Sequence, residues 1–190
     1  MKRKWMVLLI GGSSGIGKSR LAKALADLYQ VQIIEADDLC KKVMGTSKAN
    51  DYPAIHYWMG DEDWEPQGVE GNVDRLKQVG VELAHTLDQL INEHLSKQAP
   101  VIIDGDFISP QLVVGFTSPL VQSLFLYEPE LDQIIQNYLS REGGEAQVFR
   151  AQISHSFGQQ LNKQCSLMGL TTVKSRPWET LIERAIDSIE

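Results

Sequence analysis

The stretch Gly12-Ser13-Ser14-Gly15-Ile16-Gly17-Lys18-Ser19 decides the fold of this 190-residue chain. Its spacing, G-x-x-x-x-G-K-[ST], is that of a phosphate-binding P-loop. Glycines in such a loop adopt positive φ angles and let backbone N–H groups approach an anion. Lys18 adds a point charge for the outer phosphates, and the Ser19 hydroxyl suits Mg²⁺. We therefore predict that these eight residues, with Arg20 beside them, bind nucleotide phosphates.

The segments on either side of the motif agree with this prediction. Residues 5–10 form a short apolar run, which is typical of a strand that is buried on both faces. After the motif, Leu21, Ala22, Leu25 and Leu28 recur at helical spacing, which predicts a helix over 18–29. The alternative is a glycine-rich turn without a ligand, and the order strand, loop, helix disfavours it.

Composition limits the class of protein. A chain of this length fits one domain with a substantial core. The net charge of −7, with no basic run beyond Lys2-Arg3-Lys4, disfavours a nucleic-acid partner. Cys40 and Cys165 lie outside any CxxC pattern and predict free thiols. Because no apolar run is long enough for a membrane span or a signal peptide, we expect a cytoplasmic protein with no membrane partner. We expect a monomer or a homodimer.

Strands and helices alternate along the rest of the chain. We predict strands at 31–34, 101–106, 123–127 and 167–173, and helices over about 73–95, 109–114 and 146–163. Pro110 and Pro177 fit the first turns of two helices, the second of which is the last helix of the chain. This alternation predicts an α/β fold with three αβα layers and a sheet of five mostly parallel strands.

Acidic residues follow two of the predicted strands, where open α/β sheets bind ligands. Asp37 is our candidate for the base that orients or deprotonates a substrate hydroxyl, and Asp104 is our candidate Mg²⁺ ligand. Asp106 is a candidate hydrogen-bond partner of the substrate. Glu35 is a candidate to contact the substrate or to share in the coordination shell of Mg²⁺. The alternative for Asp37, as for its neighbour Asp38, is a cap of the helix that begins there.

With its P-loop and two acidic strand ends, the chain resembles the P-loop small-molecule kinases. This group includes adenylate and shikimate kinases, chloramphenicol phosphotransferase and 2-phosphoglycerate kinase-like proteins. Ile103-Asp104-Gly105 is similar to a stretch of adenylate kinases. Glu35 and Asp37 stand where shikimate kinases carry two acids that are separated by one residue. In those kinases the first acid is usually Asp, whereas here it is Glu35. The resemblance implies the strand order 2-3-1-4-5 and Mg²⁺-ATP as the phosphoryl donor.

Residues 48–70 lack a periodic pattern and predict a long loop or broken helix that covers the substrate. We expect Trp58 and Trp64 to cover the acceptor pocket; a satellite core is the alternative. The segment also carries several acids, namely Asp51, Asp61, Glu62, Asp63 and Glu65. They would repel a strongly anionic acceptor, so we expect a neutral or cationic one.

The paired glycines Gly143-Gly144 predict a hinge, and we predict that the segment from about 141 to 150 forms a lid. Kinases of this group close an Arg-bearing lid over the phosphates, which makes Arg141 a candidate catalytic residue and Arg150 a candidate substrate contact. Both fit equally the alternative of solvated surface cations. By the same resemblance, Arg176 is expected to stack on the nucleotide base, with a surface turn as the alternative.

Together these features predict an ATP-dependent phosphotransferase that moves the γ-phosphoryl group to a hydroxyl of a small molecule. Phosphoryl transfer depends mainly on positioning and charge neutralisation, which Lys18 and the acids are suited to supply. The alternatives are a nucleotide-binding switch and a slow NTPase without an acceptor. The chain has no Asn-Lys-x-Asp motif for guanine, which disfavours the switch.

Overall fold

The computed structural model describes residues 3–60 and 63–189; Met1, Lys2, Asp61, Glu62 and Glu190 lie outside the described residues. Five strands are present: β1 (Val7–Gly11), β2 (Gln32–Glu35), β3 (Val101–Asp104), β4 (Val121–Tyr127) and β5 (Thr172–Lys174). The helices are α1 (Lys18–Tyr29), α2 (Ala36–Thr46), α3 (Pro53–Met59), α4 (Gly68–Lys97), α5 (Pro110–Val114), α6 (Leu131–Glu142), α7 (Val148–Leu167) and α8 (Leu181–Ile189). Two short 3-10 helices cover Glu65–Gln67 and Trp178–Thr180.

The strands form one sheet in the order β2-β3-β1-β4-β5, and every pairing within it is parallel. Strand β1 lies in the centre, where Leu9 pairs with Ile103 of β3 and Ser123 of β4. The predicted α/β class, the five strands and their order are therefore confirmed.

Strand β1 is buried along its whole length because helices cover both faces of the sheet. Val7 and Leu9 belong to the core that packs against α4 and α7, whereas Leu8 and Ile10 belong to the core that packs against α1 and α8. This alternation is the period-two geometry of a strand with two apolar faces. It explains why the sequence shows a continuous apolar run there.

Strand β5 and one helical side chain differ from the predictions. Strand β5 begins only at Thr172, because α7 continues to Leu167 and a turn follows it. The covering segment is a broken helix, since α3 and a 3-10 turn lead into α4 at Gly68. Leu28, which follows the helical spacing of the buried residues of α1, is 44% exposed.

Helix α4 runs for 30 residues without a break, and polar side chains occur along its whole length. Across residues 3–60 and 63–189, none of the helices combines the length and the apolar character that a membrane crossing requires.

Candidate active site

The P-loop connects the end of β1 to the start of α1 and requires glycine at two positions above all. Gly12 has a φ of 136°, and a Cβ built there would lie 2.5 Å from the backbone oxygen of Leu126. Gly17, directly before α1, has a φ of 93°, and its Cβ would lie 2.6 Å from the ring of Trp178. Both glycines therefore combine a left-handed backbone with a close neighbour, which excludes larger residues.

Two residues that the sequence analysis missed hold the loop from outside. Asn137 of α6 donates a hydrogen bond of 2.7 Å to the carbonyl of Gly15. The ring of Trp178 lies against Gly17. The only local signal for Trp178 was its position just after Arg176-Pro177, a loop already expected near the nucleotide.

A cavity of about 460 Å³, here called the phosphate cavity, opens above the P-loop. It collects side chains from the ends of β1, β2 and β3 and from α6. Its lining residues are Ser14, Gly15, Gly17, Lys18, Ser19, Arg20, Glu35, Asp37, Asp104, Gly105, Asp106, Asn137, Ser140, Arg141 and Trp178. Most of the predicted phosphate, metal and acid residues thus meet in one place, as parallel strands ending at one edge require.

Three predicted loop residues do not line this cavity. Ile16 is fully buried in the core beside α1. Ser13 is 1% exposed, and its hydroxyl lies against Gly158 of α7. Gly12 lies beneath the loop against β4. The side chains of Ser13 and Ile16 therefore anchor the loop, while Ser14, Gly15 and the residues from Gly17 to Arg20 line the cavity.

Lys18 is held in place by two acceptors. Its ammonium donates hydrogen bonds of 2.7 Å to the carbonyl of Ser13 and of 2.5 Å to Asp106 Oδ1. The Lys18 side chain is 7% exposed and that of Asp106 is 19% exposed. The ion pair is thus largely withdrawn from water, which strengthens it relative to a surface pair.

Ser19 and Asp104 lie together at the base of the phosphate cavity and fit the chemistry of Mg²⁺. The Ser19 hydroxyl donates a hydrogen bond of 2.9 Å to Asp104 Oδ2. Asp104 Oδ1 is buried and has no hydrogen-bond partner among the described residues. Burial raises the pKa of Asp104, and the Ser19 hydrogen bond opposes that rise.

Among residues 3–60 and 63–189, no group of three His, Cys, Asp or Glu side chains could hold a metal ion. A Mg²⁺ ion here would therefore depend on oxygens of the nucleotide and water as well, as is usual for this ion. An orphaned carboxylate oxygen next to a hydroxyl ligand is consistent with that arrangement.

Asp37 lies in the first turn of α2, and its carboxylate faces the phosphate cavity. Asp37 is exposed to solvent as a whole residue, but the protein atoms gathered around its carboxylate in the cleft, together with the negative charge of Asp106, raise the pKa of Asp37 to about 6. Glu35 occupies the N-cap position of α2, and Asp38 pairs with Lys41 at 2.8 Å. Asp37 is therefore not the N-cap, and its raised pKa is typical of a group that exchanges protons near neutral pH.

A smaller space of about 80 Å³, here called the aromatic cavity, adjoins the phosphate cavity. Trp58 and Trp64 line it with their indole rings stacked at 4.4 Å and 7°. Asp37 and Asp106 line both cavities, and Arg150 lines the aromatic one. The covering segment therefore brings two tryptophans next to the candidate base, and both also pack against the hydrophobic core, as the alternative of a satellite core expects.

The two candidate lid arginines share one carboxylate. Glu142 accepts a hydrogen bond of 2.5 Å from Arg141 and one of 3.0 Å from Arg150. A hydrogen bond from Gln147, together with that from Arg141, lowers the pKa of Glu142 to about 2. Both guanidinium groups lie over the ring of Tyr138, at 5.1 and 4.5 Å. Arg141 faces the phosphate cavity, so the structure brings both arginines to the site.

Arg176 lies farther out, in a side cavity of about 510 Å³ between the loops after β4 and β5. Its guanidinium group forms a two-point ion pair with Glu128, at 2.8 and 2.7 Å. Burial alone would raise the pKa of Glu128, but the hydrogen bonds from Arg176 and Ser175 lower it. Trp178 lines both the side cavity and the phosphate cavity, so it joins the two.

Comparison with known proteins agrees with this geometry. A family model described as an AAA domain matches residues 7–125, which include the P-loop, both acidic strand ends and the covering segment. The chain belongs to this AAA-domain family. Together with the kinases named below, this match confirms the resemblance to P-loop small-molecule kinases that the motifs indicated.

Relatives of this AAA-domain protein include two proteins named 2-phosphoglycerate kinase, from Methanococcus maripaludis strains C7 and C5. They are 27% and 26% identical to the chain over 126 and 122 residues. Each alignment covers 60% of this chain and 39% of the relative. The chain thus spans about two fifths of the length of the curated relatives that it matches.

Solved structures share the fold of this AAA-domain protein over nearly the whole chain. A gluconokinase from Sinorhizobium meliloti 1021 has a TM-score of 0.55 and 15% identity, and the match covers 99% of this chain and 93% of that one. A shikimate kinase from Acinetobacter baumannii in complex with shikimate has a TM-score of 0.53 and 17% identity, with 98% and 95% covered. At these identities the likeness establishes the fold alone.

Proposed function

We propose that this protein transfers the γ-phosphoryl group of ATP to a hydroxyl of a small molecule. One observation carries the proposal: Asp37, a carboxylate with a raised pKa, lines both the phosphate cavity and the aromatic cavity. A base that contacts both spaces is suited to orient an acceptor hydroxyl towards a bound phosphate. The names of the curated relatives, which are kinases, support the same reaction class.

Each remaining residue has a role that its contacts support. Lys18 neutralises charge on the outer phosphates, and Arg141 approaches the transferred group from α6. Ser19 and Asp104 would hold Mg²⁺, which neutralises charge on the phosphate oxygens. Residues of about 141–150 form a lid and those of about 48–70 a cover, within one domain, so that water is excluded during transfer.

The contacts favour Trp178, close to Arg176, as the side chain on which the nucleotide base stacks. The guanidinium group of Arg176 is already engaged by Glu128, whereas the Trp178 ring borders the space above Gly17. An indole ring presents a flat face on which a purine stacks. The base is therefore proposed to lie against Trp178, with Arg176 at its edge.

The charge around the aromatic cavity supports a neutral or cationic acceptor. Asp37 faces it as a carboxylate, while Asp106 is paired with Lys18 and Arg150 with Glu142. An anionic acceptor would have to compete with Glu142 for Arg150. The flat surface of the stacked tryptophans suits an apolar or ring-shaped part of the acceptor.

A coupled ADP-release assay with Mg²⁺-ATP and pools of small-molecule acceptors tests the function. We expect one pool to raise ADP release well above the rate without acceptor. Lys18→Ala should reduce that release at least about 100-fold, and Lys77→Ala, which alters an exposed ion pair on α4, serves as the control.

The same assay separates the kinase from its alternatives. If every pool left ADP release unchanged while ATP bound in a Lys18-dependent manner, the switch or slow NTPase would replace the kinase. If Lys18→Ala left ATP binding unaltered, the phosphate cavity itself would be wrongly assigned.

A further inference from the structure

The ion pair between Lys18 and Asp106 connects the two cavities of the site. Asp106 lines the phosphate cavity and the aromatic cavity, and its Oδ1 lies 2.5 Å from Lys18 Nζ. The same carboxylate is therefore within reach of a bound phosphate and of an acceptor hydroxyl. In the structure this carboxylate forms an ion pair with the lysine.

A polyphosphate competes with Asp106 for this lysine. An ammonium group has three donors, and two of those on Lys18 are used by the Ser13 carbonyl and by Asp106. A carboxylate and a phosphate beside the same ammonium repel one another, and the low exposure of the pair reduces screening by water. Binding of a triphosphate therefore favours departure of the Asp106 carboxylate from Lys18.

Resting on the kinase function proposed above, we propose that Asp106 is an acceptor-binding residue that nucleotide binding makes available. When Lys18 turns to the phosphates, Asp106 loses its cation and becomes a free hydrogen-bond acceptor in the wall of the aromatic cavity. The acceptor hydroxyl then binds between Asp37 and Asp106. This exchange makes nucleotide the first ligand to bind and acceptor the second.

Calorimetric titration with inorganic tripolyphosphate, and separately with Mg²⁺-ATP, at pH 8 tests this coupling without turnover. Asp106→Asn removes the competing charge with little change of shape, so it should bind tripolyphosphate at least about fivefold more tightly than the wild type. Asp37→Asn is the matched control, because it removes one negative charge from the same two cavities. Asp37 forms no ion pair with Lys18 within the described residues and acts on it only through its more distant charge, so Asp37→Asn should gain clearly less affinity than Asp106→Asn.

Three results would overturn the proposal. Equal gains in Asp106→Asn and Asp37→Asn would reveal a general field effect and no competition for Lys18. Weaker binding in Asp106→Asn, and also in Asp106→Ala, at an unchanged melting temperature would show that Asp106 supports the phosphate site. Unchanged affinity would show that Lys18 keeps both partners.

These outcomes are independent of the kinase assay. The titrations need no acceptor, so a failed acceptor screen would reject the kinase function and leave the competition between Asp106 and phosphate measurable. If the acceptor screen succeeded and the two variants gained equal affinity for tripolyphosphate, the kinase function would stand. The proposal that nucleotide binding makes Asp106 available would then be rejected.

Discussion

The hydroxyl of Ser19 donates a hydrogen bond to Asp104 although the two residues are 85 positions apart in the chain. The first lies in the first turn of helix α1 and the second ends strand β3, which is paired with β1. Their contact joins the P-loop to the neighbouring strand at the proposed Mg²⁺ position.

Replacing Asp104 by Asn should weaken use of Mg²⁺ more than it weakens nucleotide binding. We expect the Mg²⁺ concentration for half-maximal ADP release to rise about tenfold or more, because a carboxylate that orients the metal shell is lost. A Mg²⁺ titration at saturating ATP measures this. Asp38→Asn, which alters an exposed acid paired with Lys41, is the control. An unchanged Mg²⁺ dependence in Asp104→Asn would exclude the metal role.

The pKa of Asp37 predicts how activity depends on pH. A base acts only when it is ionised, and the pKa of Asp37 is raised to about 6. Activity should therefore rise with pH through about 6 and level off above it. Asp37→Asn should lose about 10² to 10⁴ in rate and also lose this step. A profile of kcat/KM from pH 5 to 8, which reports ionisation of the free protein, checks it for both proteins; a surviving step in Asp37→Asn would assign the titration to another group.

Trp178→Ala should separate binding of the base from binding of the phosphates. Loss of a stacking surface costs about 1–3 kcal/mol for a base, so ATP affinity should fall by about 5-fold to 150-fold while tripolyphosphate affinity changes little. Trp178→Phe, which keeps an aromatic face, should retain most of the ATP affinity. Equal losses for ATP and tripolyphosphate would instead assign Trp178 to support of the loop at Gly17.

Gly12→Ala should destabilise the protein, while Gly45→Ala should not. At position 12 the new Cβ meets a backbone oxygen at 2.5 Å with φ at 136°, which costs about 1–3 kcal/mol for the strained backbone alone. At Gly45, in the last turn of α2, a Cβ meets nothing within 4 Å. Alanine there should stabilise the helix by about 0.5–1 kcal/mol. Urea unfolding of both variants checks the contrast, and equal midpoints would contradict it.

Glu82 of α4 caps the short helix that carries Trp58. Its two carboxylate oxygens accept hydrogen bonds of 2.9 Å from the backbone N–H groups of Ala54 and Ile55. Glu82→Ala should lower the free energy of unfolding by about 0.5–2 kcal/mol, as for other lost N-caps, and should increase solvent quenching of tryptophan fluorescence. Glu93→Ala, an exposed residue paired with Lys97 on the same helix, should change either quantity little. If the two variants gave the same results, the hydrogen bonds from Ala54 and Ile55 to Glu82 would not contribute to stability.

Elements with a strong local pattern were predictable. Helix α1 was predicted at its observed limits, since the P-loop lysine starts it and the apolar spacing continues to Tyr29. Strand β5 was predicted too early, because residues 167–171 read as apolar and extended while the last turn of α7 and a glycine turn occupy them. The covering segment carried too little periodicity for its short helix to be recognised.

The amino-acid sequence alone determined the P-loop, the alternation of strands and helices, and the gathering of acids at one edge of the sheet. These features follow from contiguous residues and from the common direction of parallel strands. Only the tertiary structure decided which side chains meet: Lys18 with Asp106, Trp178 with Gly17, and Arg150 with Glu142. Such pairings depend on rotamers and on packing between distant segments, which no local pattern of residues encodes.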